Sequence, residues 1–314
     1  MSAPVVVAVV LAVLLVIASV LLVLELRTGR PGTRTRAAAG PTVTGPAALD
    51  EVDRALRVLV TACDRAERDF PDVYAVEVTA DRVALRLAVY EPDAPTPWES
   101  GADGTTWSLS RAGRQTGGQM AAESHPYPLI VSLGLHEDRR VLVNLARAAG
   151  PIALAGEAGS IARRLLSELL AGPVGRDAEI TLAGEVALSL RDQLWGARPE
   201  RLRTAATLAE ARHGGREEQA ARTGAPQVFQ LLDDGRGSAE PDQPRRLVVI
   251  GADQFRAESA VLAAGGRDGG GWGGGGAVLV LGEADHAAWR FEVLPDGGLD
   301  TGALSLPIDT VRLG

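Results

Sequence analysis

The fold is decided by the sequence PIALAGEAGSIARRLLSELL, residues 151–170. Ile152–Ala155 is a short, continuous apolar run, which is typical of a strand that is buried on both faces. A glycine-containing turn follows, and from Ile161 onward the leucines recur on one side of a helix. Strand, glycine turn and helix in this order predict an α/β domain with a mainly parallel sheet.

Similar apolar runs on the C-terminal side extend this predicted sheet. They predict strands at residues 178–183, 247–250 and 277–281, with helices between them. A last, antiparallel strand is predicted around residues 289–293. We therefore expect residues 125–314 to form one α/β domain whose sheet is covered on both faces.

The glycine turn is the place to look for a phosphate-binding loop, because backbone N–H groups at such a turn can cradle phosphates. Laid on Gly156, the pattern G-x-x-x-x-G-K-[ST] puts Ile161 at the second glycine and Ala162 at the lysine. Arg163 then takes the position of the hydroxyl residue. The chain contains no lysine at all, so a lysine-dependent phosphate loop is excluded.

A second element of nucleotide hydrolases is also missing. The strand at residues 247–250 ends in glycine and alanine, where a hydrolase needs an acidic metal ligand. We therefore predict no catalytic residue. The turn with Gly156, Gly159 and Ser160 is expected to be a degenerate loop that binds no cofactor, and Ser160 is expected to cap the helix.

In this order of strands, turn and helices, the C-terminal two-thirds of the chain resembles the P-loop core of membrane-anchored DNA-translocase and type VII secretion ATPases. The matching residues are Gly156, Gly159 and the strands at 152–155, 247–250 and 278–281. Segments 72–76, 126–134 and 150–156 are similar to poorly characterised single-pass membrane proteins of high-GC bacteria. The resemblance implies a degenerate nucleotide-binding fold and transfers no catalytic residue.

A smaller α+β module is predicted before this domain, at residues 47–112. Apolar residues recur at three- and four-residue steps over residues 49–60, which predicts a helix. Alternating apolar residues at 74–78 and 83–89 predict a β-hairpin with one buried face. Residues 113–124 are expected to link this module to the α/β domain.

The N-terminal sequence predicts a transmembrane anchor within residues 1–26. From Val5 through Leu14 to Leu24 the chain is apolar apart from Ser19. A helix of about 20 residues spans the ~30 Å hydrocarbon core of a bilayer. A cleaved signal peptide would have a basic start and a shorter apolar core, and this sequence has neither.

Residues 27–46 are predicted to be a juxtamembrane linker, because they are rich in glycine, proline, threonine and arginine. Since positively charged flanks stay in the cytoplasm, the linker predicts a cytoplasmic body and an external N-terminus. A signal-anchor with the body outside is the alternative. The basic residues expected to lie against anionic lipid are Arg27, Arg30, Arg34 and Arg36.

Composition excludes several other classes of function. A net charge of −8 over 314 residues argues against broad nucleic-acid binding. The single cysteine, Cys63, excludes an intramolecular disulfide, and its apolar neighbours predict a buried thiol. No metal site is predicted, because the histidines lack the spacing of metal ligands: His125, His136, His213 and His286.

Together these features predict a single-pass membrane protein whose cytoplasmic body binds a protein partner and carries out no chemistry. The sequence identifies neither the partner nor the pathway. One alternative is an atypical ATPase in which arginines such as Arg163 hold phosphate in place of lysine. Another is a membrane-tethered regulator of transcription or secretion.

Overall fold

The computed structural model describes residues 47–118, 122, 125–194, 199–211, 246–265 and 276–311. The predicted anchor and juxtamembrane linker lie outside these residues, and so do Val5, Leu14, Leu24 and the four linker arginines. Within the described part of the chain, no helix has both the length and the apolar character needed to cross a membrane.

The first sheet has six antiparallel strands. Its central hairpin is the predicted one, and Val76 lies opposite Leu85. The strands lie in the order β3-β4-β2-β1-β6-β5. The elements are α1 (Ala47–Arg65), β1 (Val73–Val78), β2 (Arg82–Leu87), β3 (Glu99–Ser100), β4 (Thr106–Ser110), α2 (Arg111–Gly118), β5 (Ile130–His136) and β6 (Arg139–Asn144).

This sheet extends across the segment that was predicted to be a linker. Helix α2 occupies residues 111–118, within what was expected to be an irregular connection at 113–124. The hairpin β5–β6, expected in the C-terminal domain, pairs with β1 through contacts such as Ala75 opposite Val143. The apolar runs at residues 129–133 and 141–145 predict a hairpin, but such runs do not specify which sheet the hairpin joins.

The second sheet has seven strands in the order β13-β12-β7-β11-β10-β8-β9, and all neighbouring pairs are parallel except β12–β13. The prediction of an α/β domain with a mainly parallel sheet is confirmed. The elements are β7 (Ile152–Ala155), α3 (Ala158–Ala171), β8 (Glu179–Ala183), α4 (Glu185–Leu194), β9 (Leu202–Ala205), β10 (Arg246–Gly251), α5 (Ala252–Gly265), β11 (Ala277–Leu281), β12 (Trp289–Val293) and β13 (Leu299–Asp300).

The prediction of an antiparallel strand at residues 289–293 is confirmed only for its pairing with β13, where Val293 lies opposite Leu299. Strand β12 runs parallel to β7, with Trp289 opposite Ile152 and Phe291 opposite Leu154. Only residues 282–288 connect β11 to β12. Because β11 and β12 both run parallel to β7, the connection must run back along β7 to the edge where the parallel strands begin. This short connection can do so because β7 is only four residues long.

The two sheets and three of the helices form five layers. Helix α1 packs on one face of the first sheet, and α3 lies between the other face and the second sheet. Helix α5 covers the far face of the second sheet, which confirms the prediction of a sheet covered on both faces. The α3 side chains buried between the sheets are Ile161, Ala162, Leu165, Leu166, Leu169 and Leu170.

The C-terminal segment returns to the edge of the first sheet. The Leu135 N–H of β5 donates to the Thr310 carbonyl at 2.9 Å, and the Asp309 N–H donates to the Leu135 carbonyl at 2.8 Å. The Asp309 carboxylate also accepts from the Glu137 N–H at 2.8 Å and lies 3.1 Å from Nδ1 of His136. This segment therefore connects the end of the chain to β5.

Candidate functional site

The turn between β7 and α3 is short and closed. Only Gly156 and Glu157 separate the strand from the helix. Gly156 has a φ of 73°, a conformation that glycine adopts without strain. The Ala158 N–H donates to the Gly156 carbonyl at 2.8 Å, and the Ile161 N–H donates to the Glu157 carbonyl at 3.3 Å. The helix therefore begins immediately after the strand.

This geometry differs from that of a phosphate-binding loop. In the eight-residue pattern, several N–H groups between the strand and the lysine face the phosphates. Here two of the corresponding N–H groups are already bonded within the turn, and no extended loop is present between Ala155 and Ala158. The turn itself lies between the predicted strand and the predicted helix.

Ser160 does not have the capping role expected from the sequence. The residue at the helix N-cap is Glu157, and its side chain makes no capping hydrogen bond. Ser160 lies inside the first turn, where its hydroxyl donates to the Glu157 carbonyl at 3.0 Å. The prediction was wrong because the helix begins at Ala158, earlier than the glycine at position 159 suggests.

Two of the three residues at the last positions of the phosphate-loop pattern are buried, and the third is bonded to another helix. Ile161 is 6 % exposed and Ala162 is fully buried, and both belong to the core between the sheets. Arg163 is exposed, and its guanidinium donates to Oε1 of Gln193 on α4 at 3.3 Å. The arginine proposed as a substitute for lysine is therefore bonded to the neighbouring helix.

A row of carboxylates follows the ends of four neighbouring parallel strands. Each of β7, β11, β10 and β8 is followed, two residues after its end, by an exposed acidic residue. We call these residues the acidic row: Glu157, Glu283, Asp253 and Glu185. Parallel strands end at the same edge of a sheet, where ligands of α/β proteins usually bind. A row of negative charge at this edge disfavours a bound polyphosphate.

Two arginines near the acidic row form ion pairs with its members. Arg290 donates to the Glu283 carboxylate at 2.8 Å, and Arg256 donates to Asp253 at 2.9 Å. In the described residues, no group of three or more His, Cys, Asp or Glu side chains could hold a metal ion. Both described arginines are therefore paired with carboxylates at this edge.

Sequence analysis missed a buried charged cluster around Asp53 of α1. Nε2 of His125 lies 3.5 Å from Oδ1 of Asp53, and Nδ1 of His125 accepts from the Tyr127 N–H at 3.2 Å. Arg57 forms an ion pair with the same carboxylate at 2.5 Å. Burial by itself raises the pKa of Asp53, but the His125 and Arg57 contacts outweigh it, so this pKa lies below 3.8.

Another charged cluster connects α3 to the first sheet. Arg140 of β6 is 2 % exposed and donates to Glu168 of α3 at 2.6 Å and to the Ser132 hydroxyl at 2.8 Å. Arg164 of α3 donates to the carbonyls of Ser132 and Leu133 on β5. Burial raises the pKa of Glu168 despite the two arginines, and burial lowers the pKa of Arg164. These contacts fix α3 in its position between the sheets.

The described histidines take part in separate contacts and do not converge on one site. His125 lies beside Asp53 of α1, and His136 lies beside Asp309 at the end of the edge strand β5. His286 has a φ of 60° in the connection between β11 and β12, and His213 lies outside the described residues. The sequence does not predict the His125 and His136 pairs, because their partners are 72 and 173 positions away.

No protein-family model matches this chain, and no curated protein matches it in sequence. Among solved structures, it is similar to the monomer form of the pCW3 conjugation coupling protein TcpA with ATPγS. The TM-score is 0.30 and the identity is 11 %, over 83 % of this chain and 88 % of that one.

Proposed function

We propose that the protein is a single-pass membrane protein whose α/β body binds a protein partner and catalyses no reaction. The observation that supports this proposal most directly is the turn between β7 and α3. Two residues connect the strand to the helix, and the positions of the missing glycine and lysine are buried in the core. A turn of this kind supports the fold but offers no phosphate site.

The membrane part of the proposal depends on the sequence of the N-terminal residues. The apolar run from Val5 to Leu24 has the length and composition of a membrane-spanning helix. The arginines that follow it favour a cytoplasmic position for residues 47–314. Reporter fusions at the C-terminus test this: a reporter active only in the cytoplasm should give signal, and signal only from an exported reporter would reverse the orientation.

A nucleotide titration tests the absence of chemistry. The full chain in non-ionic detergent should show the same melting temperature with and without millimolar Mg-ATP. A ligand at 100 times its Kd would stabilise the folded state by about 2.7 kcal/mol, which thermal unfolding detects easily. Saturable stabilisation would contradict the proposal. Its loss in Arg163→Ala, with retention in Arg256→Ala, would support the atypical ATPase instead.

A further inference from the structure

Exposed apolar side chains are concentrated in one loop of the first sheet. Four large apolar side chains of the described residues are prominently exposed, and two of them, Val89 and Tyr90, are adjacent. Val89 is 50 % exposed and Tyr90 is 71 % exposed. They lie in the loop between β2 and β3. Adjacent exposed apolar residues are typical of interaction sites, whereas single ones need no explanation.

The loop that carries Tyr90 is held in place by its neighbours. The Ala88 N–H donates to the Asp72 carbonyl at 2.8 Å, and Nε1 of Trp107 donates to the Glu91 carbonyl at 2.7 Å. Arg68 donates to the Glu91 carboxylate at 3.1 Å and packs over the Trp107 ring, 4.9 Å from its centroid. A partner would therefore meet a preformed surface, which reduces the entropy cost of binding.

The position of the Tyr90 ring depends on Gly104. Gly104 has a φ of 62°, and the Glu91 N–H donates to its carbonyl at 2.7 Å. A Cβ at this glycine would lie 2.2 Å from Cε2 of Tyr90, so the ring lies directly against the glycine backbone. Because Tyr90 is 71 % exposed, most of the ring remains available to a partner.

The segment that carries this aromatic side chain is rich in carboxylates. Residues 87–110 contain Glu91, Asp93, Glu99 and Asp103, and they contain no basic residue. Asp103 directly precedes Gly104, and its carboxylate accepts from the Thr106 hydroxyl at 2.8 Å and from the Thr105 N–H at 3.1 Å. These hydrogen bonds hold the pKa of Asp103 below its usual value. Arg68 pairs with Glu91, and Arg86 lies 4.0 Å from the Asp103 carboxylate. These two arginines offset part of the charge of the four carboxylates, which leaves the loop with a net negative charge.

We propose that Val89, Tyr90, Asp93 and Asp103, which we call the Tyr90 surface, bind a basic segment of the partner protein. This inference rests on the proposed partner-binding function and specifies the chemistry of the partner. An arginine or lysine can place its cation over the Tyr90 ring while the carboxylates attract its charge. Anionic lipid would be repelled by the same carboxylates, so a basic protein segment fits better than a membrane surface.

The test uses three fluorescent 12-residue peptides of equal apolar content, with net charges of +4, 0 and −4. Binding to the full chain in non-ionic detergent is measured by fluorescence anisotropy. The +4 peptide should bind, with an affinity that falls as salt increases. Tyr90→Ala should weaken this binding about three- to five-fold, as expected for the loss of a cation–π contact, whereas Tyr90→Phe should retain it.

Matched controls separate this surface from the general negative charge of the protein. Leu188 is 80 % exposed on α4, so Leu188→Ala removes an apolar side chain of comparable exposure. Asp253→Asn removes a charge from the acidic row. Both should leave the affinity for the +4 peptide within about two-fold, whereas Asp93→Asn with Asp103→Asn should weaken it. The melting temperatures of all variants are measured to check folding.

Several results would overturn the inference. These are equal binding of the three peptides, no binding of the +4 peptide, or equal effects of Tyr90→Ala and Leu188→Ala. Binding to phosphatidylcholine vesicles that depends on Tyr90 would instead indicate a lipid contact and would also overturn it. None of these results affects the nucleotide titration, so failure of the Tyr90 surface is distinguishable from failure of the proposed function.

Discussion

The guanidinium of Arg140 on β6 lies 2.6 Å from the carboxylate of Glu168 on α3, and this ion pair joins the first sheet to the helix between the sheets. Arg140 is almost completely buried, whereas the Glu168 side chain is 20 % exposed. Removing one member of a buried pair leaves the other charge without compensation. The pair is therefore a sensitive measure of how tightly the layers are held together.

We expect Arg140→Met to lower the free energy of unfolding by about 3 kcal/mol, because Glu168 then loses its nearest cation. Urea denaturation of the full chain in detergent measures this change. The double variant Arg140→Met with Glu168→Leu should recover part of the loss, since it removes both charges. Arg256→Met, which breaks an exposed pair, should change stability by less than about 0.5 kcal/mol. Equal losses in the two single variants would contradict the prediction.

Two glycines should respond in opposite ways to alanine. Gly159 has open space where a Cβ would lie, and it is in the first turn of α3. Gly159→Ala should therefore stabilise the protein by about 0.5–1 kcal/mol through higher helix propensity. At Gly134 a Cβ would lie 2.2 Å from the Thr310 carbonyl oxygen, so Gly134→Ala should destabilise by about 1–3 kcal/mol.

Amide hydrogen exchange tests whether the destabilisation by Gly134→Ala arises at the contact with Thr310. The Leu135 N–H donates to the Thr310 carbonyl, so Gly134→Ala should speed exchange of this amide. Gly159→Ala should leave it unchanged. Destabilisation by Gly159→Ala would contradict the prediction, because it would mean that the open space at this position is not available to a Cβ.

Acid should destabilise the protein partly through Asp53. Its folded-state pKa lies below the unfolded value of 3.8, so its contribution to stability is present above that pH and is lost as the pH falls through the folded-state value. Asp53→Asn should therefore flatten the loss of stability as the pH falls below 3.8, as measured by urea denaturation. The control Asp253→Asn, at a 99 % exposed carboxylate, should keep the wild-type pH dependence.

Cys63 should be unreactive in the folded protein. Its side chain is fully buried in α1, and burial raises the pKa of the thiol to about 12. Because thiolate is the reactive form, a disulfide reagent at pH 8 should label the native chain very slowly and the urea-unfolded chain completely. The chain has one cysteine, so the signal belongs to this residue. Rapid labelling of the native protein would show that α1 opens easily.

Local features of the sequence predicted much of this structure. The helix over residues 49–60, the hairpin at β1–β2 and the strand–turn–helix at 151–170 each depend on patterns within about twenty residues. The incompatibility of Ile161 and Ala162 with a phosphate loop was also visible in the sequence. These features were predictable because neighbouring residues determine them.

Long-range features were not predictable in the same way. The β5–β6 hairpin joins the first sheet through β1, more than fifty residues earlier, and β12 lies beside β7 and not beside β11. The Glu168 partner of Arg140 and the His125 partner of Asp53 are likewise distant in sequence. Arg140 and Glu168 resemble ordinary surface charges when the sequence is considered alone. Only the five-layer packing makes them interior residues.

The two-residue connection after β7 restricts which sequence changes could produce a phosphate-binding loop. A lysine at Ala162 would enter the apolar interior between the sheets, where an unpaired ammonium is costly. Exchange of side chains alone therefore cannot build a lysine-dependent phosphate-binding loop at this turn. An insertion of several residues between Ala155 and Ala158 would be required, and it would have to displace a helix that Arg140 and Arg164 anchor to the neighbouring layer.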